Sequence, residues 1–116
     1  MDEPLLKFIT FVPTTLNDGT PVEAEVILEF EERLFLLANG FTEKGTVRGA
    51  YRMSDGKKQI DHSLEYWIWV SEEQQGELRQ VVAELGNKLG QESMYLERSF
   101  ANLDFVPPAK PTEDNS

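Results

Sequence analysis

The chemistry this chain could perform rests on few side chains. His62, with Asp61 before it, is the weak candidate for catalysis, since an imidazole exchanges protons near neutral pH when an acid orients it. It is the only histidine, and cysteine is absent. Zinc or copper sites built on several imidazoles are therefore excluded within one chain, as are thiolate nucleophiles, disulfides and cysteine-held metal clusters. Asp18 and Asp61 could join a carboxylate-only magnesium or calcium site, but no EF-hand, HExxH or DxD spacing accompanies them. No Walker loop, GxGxxG or GxSxG motif is present, and Gly45–Gly49 reads as strand with no helix after it. The expectation is a chain with no cofactor and no metal, in which His62 is a satisfied polar group.

A binding surface is the stronger expectation, and Trp67 and Trp69 carry it. They lie in Ile60–Val70, where aromatic and β-branched residues are dense enough to specify a strand. Period two puts Ile60, His62, Leu64, Tyr66, Ile68 and Val70 on a burying face. Asp61, Ser63, Glu65, Trp67 and Trp69 fall on the other. A two-residue Asp55-Gly56 turn before this strand would pair Ser54 with Lys57 and bring Gly45 opposite Tyr66, Gly49 opposite His62 and Lys44 opposite Trp67. Lys44, Arg48 and Arg52 then surround the indoles, with Glu65 beside them. Adjacent exposed indoles are enriched at interfaces, and a lysine over an indole is worth about 0.5–1 kcal/mol.

The totals narrow the classes further. The chain has 116 residues and a formal net charge of −10 from 21 acids and 11 bases. That length suits one domain with a single core. An acidic field repels phosphate backbones, so nucleic acid is not an expected partner. Bases concentrate in Thr42–Lys58, where Lys44, Arg48, Arg52, Lys57 and Lys58 face only Glu43 and Asp55. No apolar run is long enough to span a bilayer, and Met1-Asp2-Glu3 lacks the basic start of a signal peptide, so a cytoplasmic protein with no membrane partner is expected.

These residues need a scaffold, and the rest of the chain supplies one. Leu5–Val12 reads as a strand apolar on both faces, suited to the middle of a sheet. Asn17-Asp18-Gly19 is turn chemistry, and Thr20-Pro21-Val22-Glu23 predicts a helix start with Thr20 as its cap. That helix runs to about Ala38 with Val26, Ile27, Phe30, Leu34 and Leu37 inward, and Asn39-Gly40 ends it. Leu28 and Phe35 lie to one flank: they either widen the core face or form a second apolar stripe. Phe41–Met53 reads as the second strand. Ser71-Glu72-Glu73-Gln74 predicts another capping box, opening a helix with Leu78, Val81, Val82 and Leu85 in one stripe. Met94–Phe105 reads as a last strand with a bulge near Ser99–Ala101. Residues 1–106 thus form one domain, and 107–116 a disordered, Pro-rich acidic tail.

The order β-α-β-β-α-β is that of an α+β, ferredoxin-like fold: a four-stranded antiparallel sheet with two helices on one face. By analogy with that fold, the strand order would be fourth, first, third, second. The run Asn17-Asp18-Gly19-Thr20-Pro21, then Gly40-Phe41-Thr42, then Gly49-x-Tyr51 and a DG turn, resembles small uncharacterised bacterial proteins of ferredoxin-like appearance. That likeness implies the fold and no function. The functional expectation is a non-catalytic small interaction protein, homodimeric through the open sheet face around Trp67 and Trp69, or bound there to another protein. The alternatives are a small cofactor-independent enzyme or small-molecule binder of the dimeric α/β-barrel kind, and an acidic inhibitor imitating nucleic acid.

Overall fold

Leu5–Pro13 forms β1, and its apolar character on both faces reflects its place in the sheet. The computed structural model describes residues 4–111. After β1 come α1 (Ala24–Ala38), β2 (Thr42–Arg52), β3 (Lys58–Ser71), one 3-10 turn (Glu72–Gln74), α2 (Gln75–Lys88) and β4 (Tyr95–Ser99). All strand pairs are antiparallel, in the order β2-β3-β1-β4. This is the ferredoxin-like α+β arrangement, with the strand order expected from the sequence. Among the described residues, no helix is long and apolar enough to cross a membrane.

The core lies between the helices and one sheet face. Phe8 and Val12 of β1 and Tyr66, Ile68 and Val70 of β3 are buried against Phe30 and Leu34 of α1 and Leu78, Val81, Val82 and Leu85 of α2. Leu64 is half-buried at its margin. Spacings of three and four on the helices and of two on the strands bring these side chains to one layer. Arg33 of α1 pairs with Glu84 of α2, and Glu29 with Lys88 at 2.8 Å, so the helices also run side by side.

The helix starts differ from the sequence expectation. Thr20 does not cap α1: its hydroxyl donates to Asp18 Oδ1 at 2.6 Å, and its N–H to the same oxygen at 2.9 Å. The loop closes on itself, with Val22 N–H donating to Thr14 O, and the helix begins only at Ala24. At the second start the Ser71 N–H donates to Gln74 Oε1 at 2.9 Å, as a capping box requires. Gln74 Nε2 donates in turn to the Leu37 carbonyl near the end of α1 at 2.8 Å. Asn39 ends α1 in the left-handed region, at φ 61°. β4 stops at Ser99, so residues 100–111 carry no regular structure, and Phe100, Phe105 and Val106 are exposed. Residues 112–116 of the expected tail lie outside the described residues.

The β2–β3 register departs from the predicted one by a residue. The turn takes three residues, Ser54-Asp55-Gly56: Met53 N–H donates to Lys57 O and Gly56 N–H to Met53 O, with Gly56 at φ +84°. Thr46 therefore faces Leu64, Arg48 faces His62 and Gly49 faces Asp61. A bulge at Lys44 then shifts the pairing again, so that Glu43 faces Tyr66 and Thr42 faces Trp67. Gly45 follows it at φ +102°, a conformation that residues with a β-carbon rarely adopt.

Candidate functional site

One face of the sheet carries no helix. On β3 it presents Asp61, Ser63, Glu65, Trp67 and Trp69; opposite them on β1 stand Lys7, Ile9, Phe11 and Pro13. β4 adds Tyr95 and Glu97, which face Phe11 and Ile9. From β2, the one-residue shift brings Val47 and Tyr51 to this face opposite Ser63 and Gln59. Apolar and aromatic side chains from all four strands thus share this face.

The shift corrects part of the predicted surface. Arg48 and Arg52 pair with His62 and Lys58 and belong to the helix-side row, with Arg52 reaching the edge of the sheet at the hairpin tip. Lys44, Glu65, Trp67 and Trp69 do come together. Lys44 Nζ stands 4.3 Å from the Trp67 ring centroid, and Lys7 Nζ, which the sequence did not single out, stands 3.3 Å from it. The Trp67 indole N–H donates to Glu65 Oε2 at 2.6 Å. These contacts leave Trp67 half-buried rather than bare, and Trp69 is half-buried as well. Each lysine contact contributes about 0.5–1 kcal/mol at such a site.

His62 and Asp61 occupy opposite faces of β3, so the acid does not orient the imidazole. His62 is exposed, contrary to a partly buried group, because the hairpin at this level extends past the helices. Its carbonyl accepts from the Thr14 N–H and hydroxyl. Asp61 accepts from Gln59 Nε2 at 2.7 Å. Among the described residues no three acidic or histidine side chains gather as a metal site would need. Leu28 and Phe35 stand 62% and 55% exposed on α1, with Leu36 beside them at 72%, so they form an outward stripe and do not widen the core.

A cleft of about 430 Å³ opens at the hairpin end of the helix-free face. Its floor is Phe11, Pro13, Asp61 and Ser63, and its walls come from Tyr51 and Met53 on one side and Gln91–Tyr95 on the other. β2 and β4 are the two edges of the sheet, and beyond their ends the Ser54 hydroxyl of the β2–β3 turn donates to the carboxylate of Glu92, which precedes β4. The coiling of the sheet brings the edges round. Phe11 and Tyr95 stack with centroids 4.4 Å apart and planes at 18°. The Tyr95 hydroxyl donates to the Glu97 carboxylate, which holds the phenol above its ordinary pKa. One signal could have revealed the wall: the apolar residues Val47 and Tyr51 share a parity in β2, and Ile9 and Phe11 share one in β1.

No family model and no curated protein matches the chain. Solved structures do. The stable protein CutA1 from the psychrotrophic bacterium Shewanella sp. SIB1 is 14% identical, with a TM-score of 0.66 over 90% of this chain and 88% of that one. The divalent cation tolerance protein from Thermus thermophilus is 15% identical, with a TM-score of 0.61 over 93% and 87%. A phage SAM lyase in complex with S-methyl-5'-thioadenosine is 17% identical, with a TM-score of 0.64 over 85% and 83%. At these identities the likeness is one of fold.

Proposed function

We propose that this chain is a non-catalytic interaction protein that self-associates through the helix-free face of its sheet, around Trp67 and Trp69, a two-fold homodimer being the simplest form. The observation that carries this reading is the apolar surface formed by Trp67 and Trp69 of β3, Ile9 and Phe11 of β1 and Tyr95 of β4, on the face with no helix over it. Single chains seldom leave such a surface to water, and a second copy is its commonest cover. Lys7 and Lys44 at one end and Glu65 and Glu97 further along give the face charges of both signs, which fix the register of a contact. Light scattering on the purified protein tests this: a mass that is a multiple of 13.2 kDa is expected, and a single-chain mass at high concentration would overturn it. Trp67→Glu with Trp69→Glu should give a folded single chain, since neither residue belongs to the helix-covered core.

A second reading, a small-molecule binder, is favoured by the cleft. Its volume lies within the range of ligand sites, and aromatic rings with a few polar groups line it. The phage lyase of similar fold was solved with a small ligand, which supports this use of the fold without naming a ligand for this chain. Saturable changes in the ring signals of Tyr51 and Tyr95 on adding a small molecule would support it.

A further inference from the structure

Tyr51 and Tyr95 stand on opposite edges of the sheet and both line the cleft, each exposing more than two-fifths of its surface (43% and 42%). Both rings rest on a neighbour. Tyr95 is stacked on Phe11, and Tyr51 lies over Gly49, where an added β-carbon would come within 2.5 to 2.7 Å of its ring and hydroxyl. Gly49 is therefore the space into which the Tyr51 ring folds. Asp61 and Glu92 also line the cleft, with Arg52 as the one base on the lining. Glu97 and Glu65 add their negative field at Tyr95.

This environment selects by charge. The faces of aromatic rings are electron-rich and attract cations, and the surrounding carboxylates reinforce that attraction. An anionic ligand would meet the same carboxylates as repulsion, and a neutral one would gain only apolar contact. The Asp61 and Glu92 carboxylates already accept from Gln59 and Ser54 and ring faces accept poorly, so a cation that carries no N–H and sheds water easily fits better than a primary ammonium.

We propose that the cleft between Tyr51 and Tyr95 binds a small organic cation whose charge sits on a fully alkylated ammonium group. The ring faces of Tyr51 and Tyr95 take the alkyl groups, and Asp61 and Glu92 supply the counter-charge. The proposal rests on the second reading above, that the cleft takes a small molecule. Phe11 and Tyr95 also belong to the surface that self-association would cover, so a ligand and a second copy would compete for them.

The test is a titration of the full chain, following its aromatic ring signals by NMR. Choline is the cationic probe, and 3,3-dimethylbutan-1-ol, in which carbon replaces the charged nitrogen, is the neutral one of the same shape. Choline should shift the signals of Tyr51, Tyr95 and Phe11 saturably, with the neutral probe about tenfold weaker. Tyr51→Phe should retain binding, Tyr51→Leu should lose it, and Asp61→Asn should weaken it severalfold. Gly49→Ala should leave the amide spectrum of a folded protein while displacing the Tyr51 ring and abolishing the choline shifts. Equal binding of the two probes would overturn the cationic class and leave the cleft as a ligand site. No response to either would overturn both, and shifts confined to Trp67 and Trp69 would overturn the placement.

Discussion

Replacing Tyr66 with phenylalanine removes one oxygen from the middle of the core and little else. The Tyr66 ring is fully buried and meets Phe30 and Phe41 edge-on, at centroid distances of 5.4 and 5.7 Å. Both contacts survive the change. What disappears is the hydrogen bond from its hydroxyl to Glu31 Oε2, 2.6 Å long, between β3 and α1. A bond to a charged acceptor is worth about 1.5–3 kcal/mol, and the half-buried Glu31 regains some water when it is lost, so the expected cost at neutral pH is about 1.5 kcal/mol. The pH dependence provides a second, independent handle. Burial first, and then Glu31, hold the Tyr66 phenol far above its ordinary pKa of 10.0. The folded chain thus keeps a proton that the unfolded chain releases, and the wild type loses stability as pH rises through that ordinary value. The variant has no such proton, so its deficit should shrink by about 1.4 kcal/mol between about pH 9 and about pH 11. Urea denaturation of both proteins across that range is the assay, and the difference between them removes the lysine titrations they share. A deficit that stays constant with pH, or no deficit at pH 7, would refute the argument.

Leu85→Ala should cost about 2–5 kcal/mol in chemical denaturation, because Leu85 is 4% exposed between α2 and the sheet; a loss under about 0.5 kcal/mol would contradict that packing. Two glycines of α2 should respond to alanine with opposite signs. Nothing lies within 4 Å of a β-carbon at Gly76, so Gly76→Ala should stabilise by about 0.5–1 kcal/mol through helix propensity. At Gly86 the added carbon would meet Met94 Cγ at 2.5 Å, and Gly86→Ala should lower the melting temperature. The same sign at both sites would show that Met94 does not constrain α2.

The architecture was legible because it rests on periodicity. β1 is apolar on both faces and sits between two strands, and the stripes of α1 and α2 point where spacing puts them. The site was legible only in part, because sheet faces depend on a count of one. Whether a DG turn takes two residues or three is decided by whether Ser54 or Met53 pairs with Lys57, and the bulge at Lys44 has no signature beyond Gly45. That single count moved Arg48 and Arg52 off the tryptophan face and brought Val47 and Tyr51 onto it. The contact of Lys7 with Trp67 is a diagonal one set by the pairing of β1 with β3, strands far apart in sequence, and the meeting of Ser54 with Glu92 depends on coiling of the whole sheet; no local pattern encodes either.

The position of β1 has a consequence for how the chain folds as it is made. Leu5–Pro13 is synthesised first, yet its partners are residues 63–71 and 95–99. When β1 leaves the ribosome, neither neighbour exists. The β2–β3 hairpin is the longest pairing that needs only local chain, and hairpins close within microseconds, so it is ready long before the sheet is. Until Ser99 has emerged, Phe8, Ile9, Phe11 and Val12 have at most one edge satisfied. The order of synthesis therefore exposes an apolar strand with open hydrogen-bonding groups, the kind of segment a chaperone recognises. A circular permutant that begins at α1 and places β1 after β4 would remove that interval, and its yield of folded protein during cell-free translation should exceed that of the native order.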